Sequence, residues 1–229
     1  GPIAVLDMVN GFWAFHIAFT LAELQVTDAL QQRPRSANEV ALELGLDADM
    51  LYRLLRAGTM LGLCEERPAR VFALKAVGQA LCQDGQESFR DFFVYMGRYG
   101  TRFWRRLADC VRTGKSAIEL ETGKQAFDYV YNDPVFFADF NRAMAATSNI
   151  ACDAFLTAYD LSFASRVVDI GGGHGRLLGG ILKRYPQLNG VLFDQPNVVA
   201  GAAPTLEALG VSARVEIVGG DFFQLVPSG

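Results

Sequence analysis

From Ile3 to Leu24 apolar residues fall on nearly every side of what their spacing predicts as one helix, interrupted by Asp7, Asn10, His16 and Glu23. A helix apolar all round in a soluble protein has to bury every side. A chain of 229 residues does that most readily against a second copy of itself. A bilayer-spanning helix needs about 20 mostly apolar residues in a row, and the four interruptions argue against one. Ser36-Ala37-Asn38-Glu39 reads as a capping box opening a short helix that ends at Gly45. A second helix is predicted from Asp47 to Leu61, with Leu51, Leu54, Leu55 and Leu61 at helical spacing. Strand-like runs at Leu63 to Glu66 and Val71 to Leu74 flank a turn at Pro68. Helix, turn, helix and hairpin make a winged-helix arrangement, which serves either to dimerise or to read DNA with its second helix. Asp47 and Asp49 stand at the end of that helix where bases would be touched, against Arg53 and Arg56. Dimerisation is the favoured role.

The stretch from Glu87 to about Tyr159 reads as helical and aromatic. Most of its rings are expected in the core. Gathered ahead of an α/β domain, they can also line a pocket for a flat organic molecule, with Trp104 and Phe127 among the candidate substrate contacts. A helix is predicted from Asp133 to Tyr159, with Pro134 at an early position where a missing N–H is harmless. From Arg166 the period changes. Val167 to Ile170, Gly190 to Phe193 and Val215 to Val218 read as strands, separated by a helix ending near Tyr185 and a helical stretch from about Val198 to Leu209. Strands alternating with helices predict a parallel sheet. The expected division is 1–99, a helical winged-helix-like dimerisation domain; 100–160, a helical connector lining an acceptor pocket; and 161–229, the α/β part.

Composition narrows the function. Hydrophobic residues at 51% and charged residues at 20% allow a packed core. A net charge of −4 with no basic run argues against nucleic acid as a partner. Cys64, Cys82, Cys110 and Cys152 lie far apart without a CxxC pair. That spacing suits reduced thiols in a cytoplasmic protein rather than a disulfide framework or a metal site.

The chemistry-bearing pattern is Val167-Val168-Asp169-Ile170-Gly171-Gly172-Gly173-His174-Gly175. Glycines directly after a strand let backbone amides approach a ligand, and the following helix N-terminus adds a positive dipole. Dinucleotide binding needs G-x-G-x-x-G, but Arg176 and Leu178 stand where its last glycine would fall. The loop reads G-x-G-x-G instead. The second strand ends in Asp194, where an acid accepts hydrogen bonds from ribose hydroxyls. The third leads to Asp221 and Phe222, a carboxylate suited to an adenine amino group beside a ring suited to its face. The plainer reading of Asp221 is a loop cap.

The stretches VVDIGGGHG, VLFDQP, RVEIVGGDFF and FADFNRAMAATS resemble the class I S-adenosylmethionine-dependent small-molecule O-methyltransferases, of the plant caffeate and hydroxyindole and the bacterial polyketide and phenazine type. The resemblance covers essentially the whole chain. It implies an α/β fold class, with an N-terminal all-α winged-helix-like dimerisation domain that builds a homodimer. A partial Rossmann-like doubly wound methyltransferase domain follows. It assigns Gly171 and Gly173 to the methionine part of S-adenosylmethionine, Asp194 to the ribose, and Asp221 with Phe222 to the adenine. Met144 and Ser148 match the family's helix beside the sulfonium and the methionine tail, and Phe140 with Met144 would border the acceptor pocket. The implied reaction is methyl transfer to a hydroxyl of an aromatic or polyketide-type small molecule, with no nucleic acid or membrane partner. The alternatives are a relative that binds the cofactor for non-methylating chemistry, and a non-catalytic fragment completed by a second polypeptide. The family's catalytic His follows shortly after the Asp221 region, in a His-Asp-Trp-like motif. This sequence has only His16 and His174 and ends at Gly229. No catalytic residue is assigned, the general base is expected beyond Gly229, and the chain alone is expected not to transfer methyl groups.

Overall fold

The computed structural model describes residues 1–84 and 88–228, without the side chains of residues 149 and 150. Glu87, where the aromatic stretch was expected to begin, and Gly229 lie outside the described residues. The chain divides into two compact units, Gly1–Ala146 and Thr147–Gly229.

In the first unit the apolar N-terminal segment is one helix, Pro2–Glu23. Only its C-terminal third is covered, with Ala18, Leu21 and Ala22 buried, while Ile3, Met8, Phe12 and Trp13 are exposed. By length and composition alone this helix is apolar enough to cross a bilayer, a test that the core helix of a soluble protein also passes, so its interruptions do not by themselves decide the point. The physical reason is that Asn10 and His16 carry no fixed charge, so only Asp7 and Glu23 count heavily against insertion.

The capping box forms as expected around helix Ala37–Leu44. Ser36 N–H donates to Glu39 Oε2 at 2.8 Å, and Glu39 N–H donates to Ser36 Oγ at 3.2 Å. Gly45 closes the helix in the left-handed region at φ 67°. Ser36→Ala is expected to destabilise the fold by about 1 kcal/mol, read as a lower urea midpoint at unchanged slope; an unchanged midpoint would count against the box. Asp47 caps the next helix, Ala48–Met60, accepting from Met50 N–H at 2.8 Å. The hairpin strands are β2 (Cys64–Arg67) and β3 (Val71–Leu74), joined by a third, β1 (Arg35–Ser36), in antiparallel order β1-β3-β2. Leu21, Val26, Leu30, Val40, Leu55 and Phe72 form the core between these elements.

The remainder of this unit is a run of short helices leading to a long one, Pro134–Ala158. Pro134 opens it, and Asp133 Oδ1 accepts from Val135 N–H and Phe136 N–H at 3.1 and 3.0 Å. One turn in the run, Met96–Gly100, is a π-helix.

The second unit carries a parallel sheet in the order β4 (Arg166–Ile170), β5 (Asn189–Asp194), β6 (Val215–Gly219). Ile170 pairs with Phe193 and Asp194 with Gly219, so the strands end level at one edge. Helix Arg176–Arg184 links β4 to β5, and Leu178, Leu182, Leu188, Leu192 and Leu206 fill the core beneath it. The stretch from Val198 to Leu209 is two short helices, Pro196–Val199 and Ala203–Ala208. At the break between them a Cβ on Gly201 would lie 2.8 Å from His174 Nε2, so the ring occupies space a side chain there would need.

Candidate functional site

The glycine loop after β4 stands at the level edge of the parallel sheet. Gly171 and Gly173 adopt φ of 72° and 59°, a conformation that favours glycine. A Cβ on either would meet nothing within 4 Å, so both face open space. Gly172 faces inward, where a Cβ would come within 2.5 Å of Leu192 Cδ1 and 2.7 Å of Asp169 Cγ.

The loop amides are tied to β5. Gly171 N–H and Gly172 N–H donate to Phe193 O at 2.8 and 3.3 Å, and Gly173 N–H donates to Asp194 Oδ2 at 2.8 Å. Gln195 N–H donates to Asp194 Oδ1 at 2.7 Å. The sequence had suggested that these amides would serve a ligand. They serve the loop instead, because a strand end beside them offers acceptors. What the loop presents outward is bare glycine surface and the remaining lone pairs of Asp194, a carboxylate having about four acceptor sites.

Below the loop lies Asp169, a residue the sequence reading did not single out. Its Oδ2 is buried and has no hydrogen-bond partner in the structure. Burial raises its carboxyl above the usual carboxylate range; Leu178 N–H opposes that, and the charge of Asp194 adds to it. The sign follows from the raised value: in the apo protein the contribution of this carboxyl to stability is fully present below its unfolded value and is lost as pH rises through the folded one. Asp169→Asn is therefore expected to raise the apo melting temperature at pH 7, an expectation an unchanged or lower value would contradict. The signal available in sequence was a lone carboxylate within the apolar run Val167-Val168-Asp169-Ile170.

Asp221 follows β6 and caps its own turn, accepting from Phe223 N–H at 2.9 Å and from Gln224 Nε2 at 3.1 Å. Gly220 N–H donates to Asp194 O at 2.9 Å, which ties this turn to the end of β5. The Phe222 ring is exposed, 4.5 Å from that of Phe223. The ends of three neighbouring strands thus bring together Asp169, the glycine loop, Asp194 and Asp221.

Phe140, Met144 and Ser148 recur every four residues on the helix Pro134–Ala158 and so share one face. Phe140 lies 5.9 Å from the Tyr95 ring. Trp104 and Phe127 are 64% and 60% exposed, Phe127 stacking on Tyr131 at 6.0 Å. The core of the aromatic stretch is Phe136, ringed by Tyr95, Tyr99, Phe103 and Tyr129. His16 packs edge-on among Phe12, Phe15 and Phe19. Among the described residues no cluster of His, Cys, Asp or Glu is arranged to hold a metal ion. A polar hollow of about 560 Å³ lies at the other edge of the sheet, among Arg166, Asn189, Arg214 and Glu216. Its Arg214 is engaged by the carbonyls of Leu182, Tyr185 and Leu188.

Residues 104–229 match the model of the O-methyltransferase domain, and residues 6–84 match that of the O-methyltransferase dimerisation domain. The chain belongs to the O-methyltransferase family. It is 34% identical over 224 residues to a phenazine O-methyltransferase, PhzM, of Lysobacter antibioticus, covering 98% of this chain and 66% of that protein. The chain therefore spans just under two thirds of that relative's length. Among solved structures it is similar to LaPhzM, with a TM-score of 0.89 at 33% identity, covering all of this chain and 69% of the other. Human N-acetylserotonin methyltransferase, solved in complex with S-adenosylmethionine, aligns with a TM-score of 0.84 at 28% identity over 96% of this chain and 66% of its own. Family and fold agree with the α/β architecture expected from the sequence, an N-terminal dimerisation domain ahead of a Rossmann-like methyltransferase domain.

Proposed function

We propose that this chain forms the cofactor-binding part of an S-adenosylmethionine-dependent O-methyltransferase, acting on a hydroxyl of an aromatic or polyketide-type small molecule. The observation that carries the reading is the carboxylate Asp194, held against Gly173 N–H at a strand end with lone pairs to spare. The cofactor fits the residues present. Asp194 accepts from the ribose hydroxyls. The bare surface of Gly171 and Gly173 takes the methionine part, and the unpaired oxygen of Asp169 accepts from its ammonium group. Asp221 retains acceptor capacity beyond its turn for the adenine amino group, and the exposed Phe222 ring packs on the base. The family resemblance assigns Met144 and Ser148 to the cofactor as well.

When bound, the cofactor supplies a methyl group on a sulfonium, already activated towards an incoming oxygen. The protein's share is then positioning, worth several kcal/mol when reacting atoms are held in line, about 7–11 in the best intramolecular cases. Phe140, Met144, Trp104 and Phe127 are the residues we assign to holding a flat acceptor. Neither histidine is assigned the acceptor proton, since His16 sits among phenylalanine rings and His174 packs at Gly201. The test is incubation with methyl-labelled cofactor and a panel of hydroxylated aromatics, phenazines included. Residues 1–229 alone are expected to bind the cofactor without transferring label, and label on an ether oxygen is expected once a polypeptide carrying the family's histidine motif is supplied. Cofactor binding with no label transferred by that completed enzyme would favour the alternative, a relative performing non-methylating chemistry.

The partner is a second copy of the chain, and the setting the cytoplasm. Ile3, Met8, Phe12 and Trp13 expose an apolar helix lying mostly within the matched dimerisation domain. Covering such a surface calls for an obligate interface, burying on the order of 2,000 Å² or more. Light scattering at micromolar concentration is expected to give twice the chain mass, and a stable monomer would refute this.

A further inference from the structure

The π-turn Met96–Gly100 joins two helices that its sequence gives no reason to connect. Arg98 Nε donates to Glu23 Oε1 at 2.9 Å, and its Nη1 reaches Asp139 Oδ2 at 3.4 Å. Tyr99 Oη donates to the same Oδ2 at 2.9 Å, and Arg142 pairs with Oδ1. Asp139 is only 7% exposed, the one charged residue that is buried among the described residues. The group is balanced, two carboxylates against two guanidiniums, and Glu23 Oε2 is buried with no partner of its own. The wider π-turn brings consecutive side chains closer in azimuth than an α-helix does, so Arg98 and Tyr99 reach one carboxylate together. Gly97, in the same turn, lets the Phe19 ring approach to where a Cβ would stand 2.1 Å from it. The hydroxyl of Tyr99 is held un-ionised, its pKa pushed up to about 12 by burial and by Asp139.

We propose that Asp139 is a positioning residue, which through Arg98 and Tyr99 clamps the helix Pro134–Ala158, and with it the Phe140–Met144 face, to the C-terminal end of the apolar helix Pro2–Glu23. The carboxylate fixes the azimuth of the long helix one residue before Phe140. Tyr99 carries the same constraint into the aromatic cluster, its ring centroid 4.7 Å from that of Phe136. The far end of the clamp is Glu23, on the element assigned to self-association. Acceptor binding is therefore tied to how that helix is held. π-turns are otherwise rare and recur at functional sites, and here a buried carboxylate is held by guanidiniums that are themselves about half exposed, so the Asp139 side of the clamp is the one whose charge depends on its partners.

The link to acceptor binding rests on the assignment of Phe140 and Met144 above, but the clamp is testable without turnover. Hydrogen–deuterium exchange on the full chain compares wild type, Glu23→Gln, Asp139→Asn and, as control, Asp153→Asn, an exposed acid of the same long helix. In both clamp variants, exchange across residues 134–148 is expected to rise about tenfold, the effect of losing a charged hydrogen bond from a local opening unit. Protection of Ala48–Met60 is expected to stay as in wild type. With an acceptor that turns over, Asp139→Asn is expected to raise its KM about tenfold and leave kcat within about threefold. A Glu23→Gln response confined to Pro2–Glu23 would overturn the clamp. So would a loss of protection spread evenly into Ala48–Met60, which marks general destabilisation. An absence of methyl transfer in every form, with the exchange pattern as expected, would still support the clamp, which is read by exchange and not by turnover.

Discussion

Asp194→Ala lowers the affinity for S-adenosylmethionine about 10- to 100-fold, the effect of losing roughly 1.5–3 kcal/mol of hydrogen bonding to a charged group. The carboxylate is asked to do two things at once. It accepts from Gly173 and Gln195 backbone N–H groups, so it shapes the loop, and its remaining lone pairs are those the proposal assigns to the ribose. The alanine variant removes both. Asp194→Asn keeps an acceptor for Gly173 N–H but loses the charge and one acceptor oxygen, so its affinity falls between wild type and alanine. Calorimetric titration separates the three, and an alanine variant that binds as tightly as wild type would remove the ribose assignment.

The largest effect on stability is expected at Phe136. Its side chain is 1% exposed, and its ring lies 4.7 to 6.3 Å from those of Tyr99, Tyr129, Tyr95 and Phe103. Truncation removes those contacts and leaves a cavity that fixed helices cannot close. Phe136→Ala is expected to cost about 3–5 kcal/mol, a large part of the roughly 5–15 kcal/mol that stabilises a typical domain. Urea denaturation followed by near-UV circular dichroism measures it. A loss under about 1 kcal/mol would mean that the aromatic stretch is not a packed core.

The parts legible in sequence are those fixed by neighbours along the chain. Ser36 and Glu39 cap each other across three residues, and Asp47 caps its own helix, so both helix starts are local facts. The strand, glycine loop and helix around Gly171 to Arg176 follow from apolar run, turn chemistry and period. What escaped depends on distant partners. Arg35–Ser36 is a strand only because β3 lies alongside. The π-turn at Met96–Gly100 is held by Glu23 and Asp139, residues far off in sequence. The break at Gly201 answers to the His174 ring. At the site itself, the positions of Asp194 and Asp221 at strand ends were readable, whereas the unpaired oxygen of Asp169 needed coordinates. The division of the aromatic residues was likewise invisible: Phe136 is enclosed, while Trp104 and Phe127 of the same stretch are exposed.

The central claim is that the level edge of the parallel sheet binds the nucleoside and amino-acid parts of S-adenosylmethionine. Its glycine loop closely resembles a dinucleotide loop in composition but has Arg176 where that pattern needs glycine. Titration of the purified chain with S-adenosylhomocysteine and, in parallel, with NAD tests this most directly. The account predicts one S-adenosylhomocysteine bound per chain, weakened by Asp194→Ala, and no saturable binding of NAD. Saturable binding of NAD, or S-adenosylhomocysteine binding indifferent to Asp194, would contradict it.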